Sequence, residues 1–346
     1  MRVGIAITRI PFLRSRRVEG CAEELAQALH RAGHQAEVIP IPFNGRPESR
    51  LPEQLLACRL LDLEDSVGTR IDRLIALSFP AYLVPHTEKV VWLLRGCRAA
   101  NDLWKTSDGS LPGAANGAVL RRLIRDTDAR LLREARAVFV PSRSAGERVH
   151  EDFGISAKLL QAPPFHAERY RHEDLGDFFF VLIPDDGPSR EDLILQALQS
   201  TRHPVQIRLL SDLGRPLAEG GISGPTALPP NRIVRVSPAE KDRLALFGNC
   251  LAVVYVAVDE VDNAIALESM LAGKALVTTD DSGSITDLVR HETTGLVCSP
   301  NPEALATVLD RLWEDRALAL RLGRAARAHY EELRLTWDAV VEQVLA

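Results

Sequence analysis

No GxGxxG run follows either of the strands that open the two halves of the sequence, which argues against a dinucleotide-binding Rossmann enzyme. Cysteine is sparse: Cys21, Cys58, Cys97, Cys250 and Cys298 are odd in number, and no two stand at CxxC spacing. That argues against a zinc site or a disulfide framework and points to reduced thiols in the cytoplasm. Positive charge is not in excess. The 42 Lys and Arg against 47 Asp and Glu leave a net charge of −5, so nucleic acid is not an expected partner. No apolar run is long enough to span a bilayer. The opening Met1-Arg2-Val3-Gly4-Ile5-Ala6-Ile7-Thr8 is a short strand without the apolar core and cleavage site of a secretory leader. For peripheral membrane contact, scattered arginines are the sole support.

What is present is a repeated alternation of short apolar strands and amphipathic helices. Val3–Ile7 reads as a strand. Glu19–Ala32 has apolar residues at helical spacing and ends on Gly33. Strands are expected at Ala36–Ile41, Asp72–Leu77, Lys89–Leu94 and Ala137–Val140, with helices at Gln54–Leu63, Val119–Arg136 and after Ser142. Pro163-Pro164 and the charged stretch to Asp177 interrupt the pattern, which then restarts at Phe178–Ile183. For 346 residues this predicts two doubly wound parallel-sheet domains. The expected boundaries are 1–165 for the first domain, 166–177 for a linker and 178–332 for the second. A helix over 333–346 is expected to return to the first domain, with Trp337 and Val340 on its docking face. Ligands of such sheets bind beyond the carboxyl ends of the strands, by default in a cleft.

Chemistry concentrates between Val256 and Pro302. A buried strand runs into Asp259-Glu260-Val261-Asp262, then a helix carries Glu268. A carboxylate accepts hydrogen bonds from neighbouring hydroxyls, which suits a sugar or ribose diol. A helix N-terminus offers N–H groups and a positive dipole to phosphate. Ser282-Gly283-Ser284 is a small-residue turn at which backbone amides approach an anion closely. Taken singly, each of these also reads as an ordinary solvated loop, helix face or turn.

Together they resemble the family 4 (group 1) retaining glycosyltransferases of the GT-B type. The resemblance rests on Glu260 and, seven residues between, Glu268-Ser269-Met270-Leu271-Ala272-Gly273-Lys274-Ala275-Leu276-Val277. It continues in Ser282-Gly283-Ser284, Thr294-Gly295-Leu296-Val297 and Asn301-Pro302-Glu303-Ala304-Leu305. It implies that Glu260 is the catalytic-site carboxylate meeting the donor sugar, that Glu268 binds ribose, and that Ser282, Gly283 and Ser284 lie by the donor phosphates. It implies no metal and no cofactor besides a UDP- or GDP-linked donor.

Three departures mark a divergent member with altered phosphate-binding loops. Where the family has a Gly-Gly pair after the first strand, the register puts Arg16-Arg17, in a loop with Arg14. These are either phosphate contacts or a solvated basic loop. Where the family has an Arg and a Lys, Pro184 and Ser189 stand in Pro184-Asp185-Asp186-Gly187-Pro188-Ser189-Arg190, so Arg190 is the nearby cation. Two carboxylates there also suit a divalent metal, although Asp-Asp-Gly-Pro is first a turn sequence. Where the family has a His, the chain reads Arg95-Gly96-Cys97-Arg98, and His86 is expected in a surface turn. The expectation is therefore a cytoplasmic hexosyltransferase acting on a glycan, a lipid-linked sugar or a small molecule. The alternative is a catalytically impaired GT-B protein that binds nucleotide or glycan or partners an active transferase. An epimerase or phosphorylase ranks third, the latter lacking a candidate cofactor lysine.

Overall fold

Buried, nearly continuous apolar runs such as Phe178–Ile183 fit strands covered on both faces, and the sheets they form are parallel. The computed structural model describes residues 1–10, 12, 16–66, 68–97, 100–101, 104, 111–114, 116–171, 174–184, 190–211, 232–236 and 240–346, without the side chains of 16, 66, 211 and 240–242. The chain forms two compact units: Met1–Phe165 with Leu335–Ala346, and His166–Arg334.

The first unit runs β1 (Arg2–Arg9), α1 (Arg16–Arg31), β2 (Gln35–Pro42), α2 (Leu51–Leu60), the small hairpin β3 (Asp65–Ser66) and β4 (Thr69–Arg70), and β5 (Arg73–Ser78). It continues with β6 (Lys89–Arg95), α3 (Gly117–Leu131), β7 (Ala137–Val140), α4 (Arg143–Phe153) and β8 (Lys158–Leu159). The sheet order is β2-β1-β5-β6-β7-β8. Val18, Cys21, Ala22, Leu25 and Leu29 of α1 share one core with Val3, Ile5 and Ile7 of β1. The same core takes Val340, Val341 and Val344 of the last helix of the chain, whose N-cap Thr336 accepts from Ala339 N at 3.2 Å. Trp337 meets Trp92 edge-on at 6.4 Å, and Arg73 donates to Val344 O at 3.0 Å.

Two expectations change in this unit. α1 begins at Arg16, three residues before the expected start, so Arg16 and Arg17 lie in a helical turn and not in an open loop. Glu19 lies in that first turn, where a carboxylate favours the helix N-terminus, and it pairs with Arg9 at 3.2 Å. His86 is buried, not in a surface turn. Its Nε2 lies 3.1 Å from Ile71 O, and its Nδ1 accepts from Glu88 N.

A buried acid in this unit makes its stability pH-dependent. Tyr82 Oη donates to Asp128 Oδ1 at 2.8 Å, and both side chains are buried. Burial raises the Asp128 pKa from 3.8 to about 7, against the lowering effects of the Tyr82 hydrogen bond and of Arg125. The folded chain therefore keeps a proton that the unfolded chain releases above about pH 4. That contribution to stability is fully present below about pH 4 and is lost as pH rises through about 7. Asp128→Asn is expected to remove a slope of about 1 kcal/mol per pH unit across this window in urea unfolding. An unchanged profile in the variant would refute the assignment.

The second unit runs β9 (Phe178–Ile183), α5 (Glu191–Ser200), β10 (Gln206–Ser211), β11 (Ile233–Arg235), α6 (Glu240–Asn249), β12 (Ala252–Val254) and α7 (Ala264–Leu271). Then follow β13 (Leu276–Thr279), α8 (Ile285–Leu288), β14 (Gly295–Cys298), α9 (Pro302–Glu314) and α10 (Arg316–Leu333), before α11 (Trp337–Leu345) joins the first unit. The sheet order is β11-β10-β9-β12-β13-β14. From β9 the chain winds outward through β10 to β11, then returns to the other side of β9 as β12. The β9/β12 boundary is thus the switch point, where loops diverge and leave a crevice. α10 buttresses α7 closely. A Cβ on Gly323 would stand 2.1 Å from Gly273 O, so only glycine permits this approach. Among the described residues no helix is long and apolar enough to cross a membrane, and all five cysteines are free.

Candidate functional site

Because β9, β12 and β13 are parallel neighbours, the segments that follow them emerge at one end of the sheet. After β12 the chain passes through residues 255–263 before α7 begins. Asp259 takes a positive φ of 50°, and its amide donates to Asp281 O at 2.9 Å. Glu260 follows, only 8% exposed. Its Oε1 accepts from Val261 N at 2.9 Å and Asp262 N at 3.3 Å, and its Oε2 accepts from Tyr255 Oη at 3.0 Å. A carboxylate with these partners is fixed in place.

The turn after β13 locks onto this loop. Ser282 Oγ donates to Ala257 O at 2.9 Å and lies 2.9 Å from Thr279 Oγ1. Ser284 N donates to Glu260 O at 2.8 Å. Gly283 has φ 63°, and a Cβ there would stand 2.4 Å from Glu260 O and 2.6 Å from Glu260 N. The turn therefore needs glycine for both conformation and space. Glu260, Ser282, Gly283 and Ser284, singled out from the sequence, meet here.

Arg190 precedes α5 with φ 49° and reaches the same turn. Its Nη1 donates to Thr279 Oγ1 at 3.0 Å and Asp281 Oδ1 at 2.8 Å, and its Nη2 pairs with Asp281 Oδ2. Burial raises the Asp281 pKa, but the hydrogen bonds from Arg190 and Thr279 outweigh it and hold the carboxyl below its ordinary value. Arg190 is thus committed to Asp281 in this structure. Asp259 and Asp262 flank Glu260 in the loop, and Asp281 joins it through Asp259 N, so this loop and turn are rich in acceptors. Such a surface suits a ligand that brings hydroxyls, and an anion would rely on backbone N–H groups and Arg190.

Glu268 sits within α7, 2% exposed, and forms an ion pair with Arg243 of α6, itself 3% exposed. The Arg243 guanidinium also lies 5.2 Å from the centre of the Phe247 ring. Arg17 belongs to the first unit, with its guanidinium 5.6 Å from the Phe165 ring centre. The Arg16 side chain and residues Arg14, Arg98, Asp185, Asp186 and Ser189 lie outside the described residues. Among the described residues, no three His, Cys, Asp or Glu side chains are grouped to hold a metal ion. Sequence reasoning missed Tyr255, Thr279, Asp281 and Arg243. Asp281 and Arg243 pair with residues of other elements, where no local spacing announces a partner, whereas Tyr255 reaches Glu260 within one loop and Thr279 reaches Ser282 within one turn.

Residues 233–329 match the family model described as Glycosyl transferases group 1. The mouse and human proteins named Alpha-1,3/1,6-mannosyltransferase ALG2 are each 24% identical over 106 residues, 31% of this chain. The match spans about a quarter (25%) of the length of these curated relatives. Sucrose-phosphate synthase from Thermosynechococcus elongatus superposes with a TM-score of 0.75 at 16% identity, covering 98% of this chain and 96% of that one. WaaG, a glycosyltransferase involved in lipopolysaccharide biosynthesis, gives 0.73 at 13%, covering 99% of both chains. Anabaena Alr3699/HepE in complex with UDP-glucose gives 0.69 at 15%, covering 99% of this chain and 98% of that one. The fold is GT-B, and the residues that match the group 1 model lie within the second unit.

Proposed function

We infer that this chain is a glycosyltransferase that takes a nucleotide-sugar donor at the carboxyl ends of β9, β12 and β13. It passes the sugar to a glycan, lipid-linked or small-molecule acceptor. The observation that carries this reading is Glu260: a buried carboxylate held by two amides and a tyrosine, inside the segment that matches the family model. In this reading Glu260 accepts hydroxyls of the donor sugar and stabilises the positive charge that develops on its ring. Glu268 meets the ribose, and the Ser282-Gly283-Ser284 turn lies by the phosphates, with Arg190 at their edge. The solved neighbour bound to UDP-glucose supports a nucleotide-linked hexose. The resemblance to the family 4 enzymes supports retention of configuration without an obligatory metal, and the altered loops make this a divergent member. Five free cysteines fit a reducing compartment such as the cytoplasm.

The test is incubation with a panel of UDP- and GDP-linked sugars, reading free nucleotide and, by NMR, the anomeric configuration of the product. Nucleotide release that persists in EDTA, with the donor's configuration kept, is expected. Release from no donor would overturn the reading, and an inverted product would overturn the retaining assignment.

A further inference from the structure

In the first unit a chain of aromatic rings leads from the core out to the surface. Tyr82, buried in the turn after β5, meets the Phe79 ring edge-on at 5.9 Å, and Phe79 meets Phe43, just past β2, in the same way at 5.7 Å. Phe43 is half-buried, and its amide donates to Arg9 O at 3.0 Å. The register of β1 with β2 ends on Arg9 opposite Pro42, so Ile10 and Phe43 are the next residues of the two chains. Ile10 is exposed, and Phe12 is fully exposed. Phe12 also holds a φ of 62°, a conformation that costs a bulky residue free energy and that proteins keep mainly where it serves a function. Single exposed apolar side chains are ordinary, but these continue an aromatic cluster of the core.

This surface lies at the carboxyl ends of β1, β2 and β5, the end at which parallel sheets take their ligands. Polar groups around it are engaged within the protein. Thr8 Oγ1 donates to Phe79 O at 2.8 Å and accepts from Ala81 N at 3.3 Å, and Ser78 Oγ accepts from Thr8 N at 2.9 Å. Asn44 Nδ2 donates to Arg46 O at 3.1 Å, and Gly45 N donates to Gln54 Oε1 at 3.2 Å. A sugar placed here would give up water for few new hydrogen bonds, whereas a hydrocarbon gains by leaving water. We propose that Ile10, Phe12 and Phe43 form the contact for a hydrocarbon chain carried by the acceptor, which makes the acceptor a lipid-linked or alkyl-linked molecule and not a free glycan. This rests on the glycosyltransferase reading above. Two exposed side chains backed by a half-buried ring match the width of one chain. A bilayer would call for a broader apolar face with basic residues around it, and Arg9 beside this one is paired with Glu19.

The experiment is calorimetry on the full chain with methyl, hexyl and octyl glucoside, each below its micelle-forming concentration, alongside thermal melting of the ligand-free protein. Affinity is expected to rise by about fourfold for each methylene that leaves water, and the gain of octyl over hexyl glucoside should vanish in Phe12→Ser. The serine variant should melt with the parent, because the ring it loses is fully exposed. Phe12→Leu, which keeps an apolar side chain, should retain most of the gain. Octyl glucoside bound no tighter than methyl glucoside by the parent, or a chain-length gain that survives in Phe12→Ser, would overturn the proposal and leave the transferase reading standing. Binding to phosphatidylcholine vesicles that carry no acceptor, lost in Phe12→Ser, would overturn it in favour of a membrane contact. A parent that releases nucleotide from no sugar donor would overturn the transferase reading, and the acceptor role of this surface with it.

Discussion

Glu260→Gln is expected to lower donor turnover by about a hundredfold or more, in line with the loss of one preorganised electrostatic group at a reacting centre. Folding should be nearly unaffected. Glutamine keeps a carbonyl oxygen for Val261 N and Asp262 N, and Tyr255 Oη, which donates to the second carboxylate oxygen, can instead accept from the new amide. The variant is thus nearly isosteric and removes mainly the negative charge. Charge is what matters as the leaving nucleotide departs and the sugar ring becomes cationic. A hydroxyl contact alone would also survive in the glutamine variant. Steady-state kinetics separate the two contributions: loss in kcat with KM little changed places Glu260 in the transition state, and loss confined to KM reduces it to a ground-state contact. Turnover equal to the parent's would remove Glu260 from the site.

The GT-B architecture is legible in the sequence because strand and helix periods alternate cleanly. Phe178–Ile183 has no polar residue to interrupt its burial, and Ser142, Asn301 and Thr336 announce helix starts that the structure confirms with side-chain caps. The hairpin Asp65–Arg70 and the edge strand Lys158–Leu159 were not legible, since two-residue strands carry no period. Arg16-Arg17 misled for another reason. Register with the family's glycine pair placed them in a loop, yet α1 starts there, with Glu19 in its first turn paired to Arg9. At the site, Glu260 and the Ser282-Gly283-Ser284 turn were singled out by the family resemblance, and the structure brings them together. The hydrogen bonds that orient them were not legible. Arg190 with Asp281 and Arg243 with Glu268 act across elements, and those pairings exist only once the fold brings the elements together.

Arg243→Ala is expected to destabilise the chain by about 3–5 kcal/mol, the usual result of stripping one partner from a buried ion pair. Glu268 is 2% exposed, and the substitution leaves its carboxylate without the cation paired to it, in a helix packed tightly by α10. The loss also opens space beside Phe247, over whose ring the guanidinium lies. For a unit of this size the melting point should fall by roughly 10 °C, readable by circular dichroism. A fall of this kind shows structural coupling but not whether Glu268 also meets ribose. The double variant Arg243→Met with Glu268→Gln separates the two. Replacing both charges by neutral groups of similar shape should restore most of the lost stability, because neither leaves an unpaired charge behind. If Glu268 holds the ribose as well, the restored protein should still bind UDP or GDP about tenfold more weakly than the parent, because a carboxylate bridging two hydroxyls is replaced by a weaker amide acceptor. Nucleotide affinity that returns together with stability would instead assign Glu268 to the packing of α6 against α7 alone.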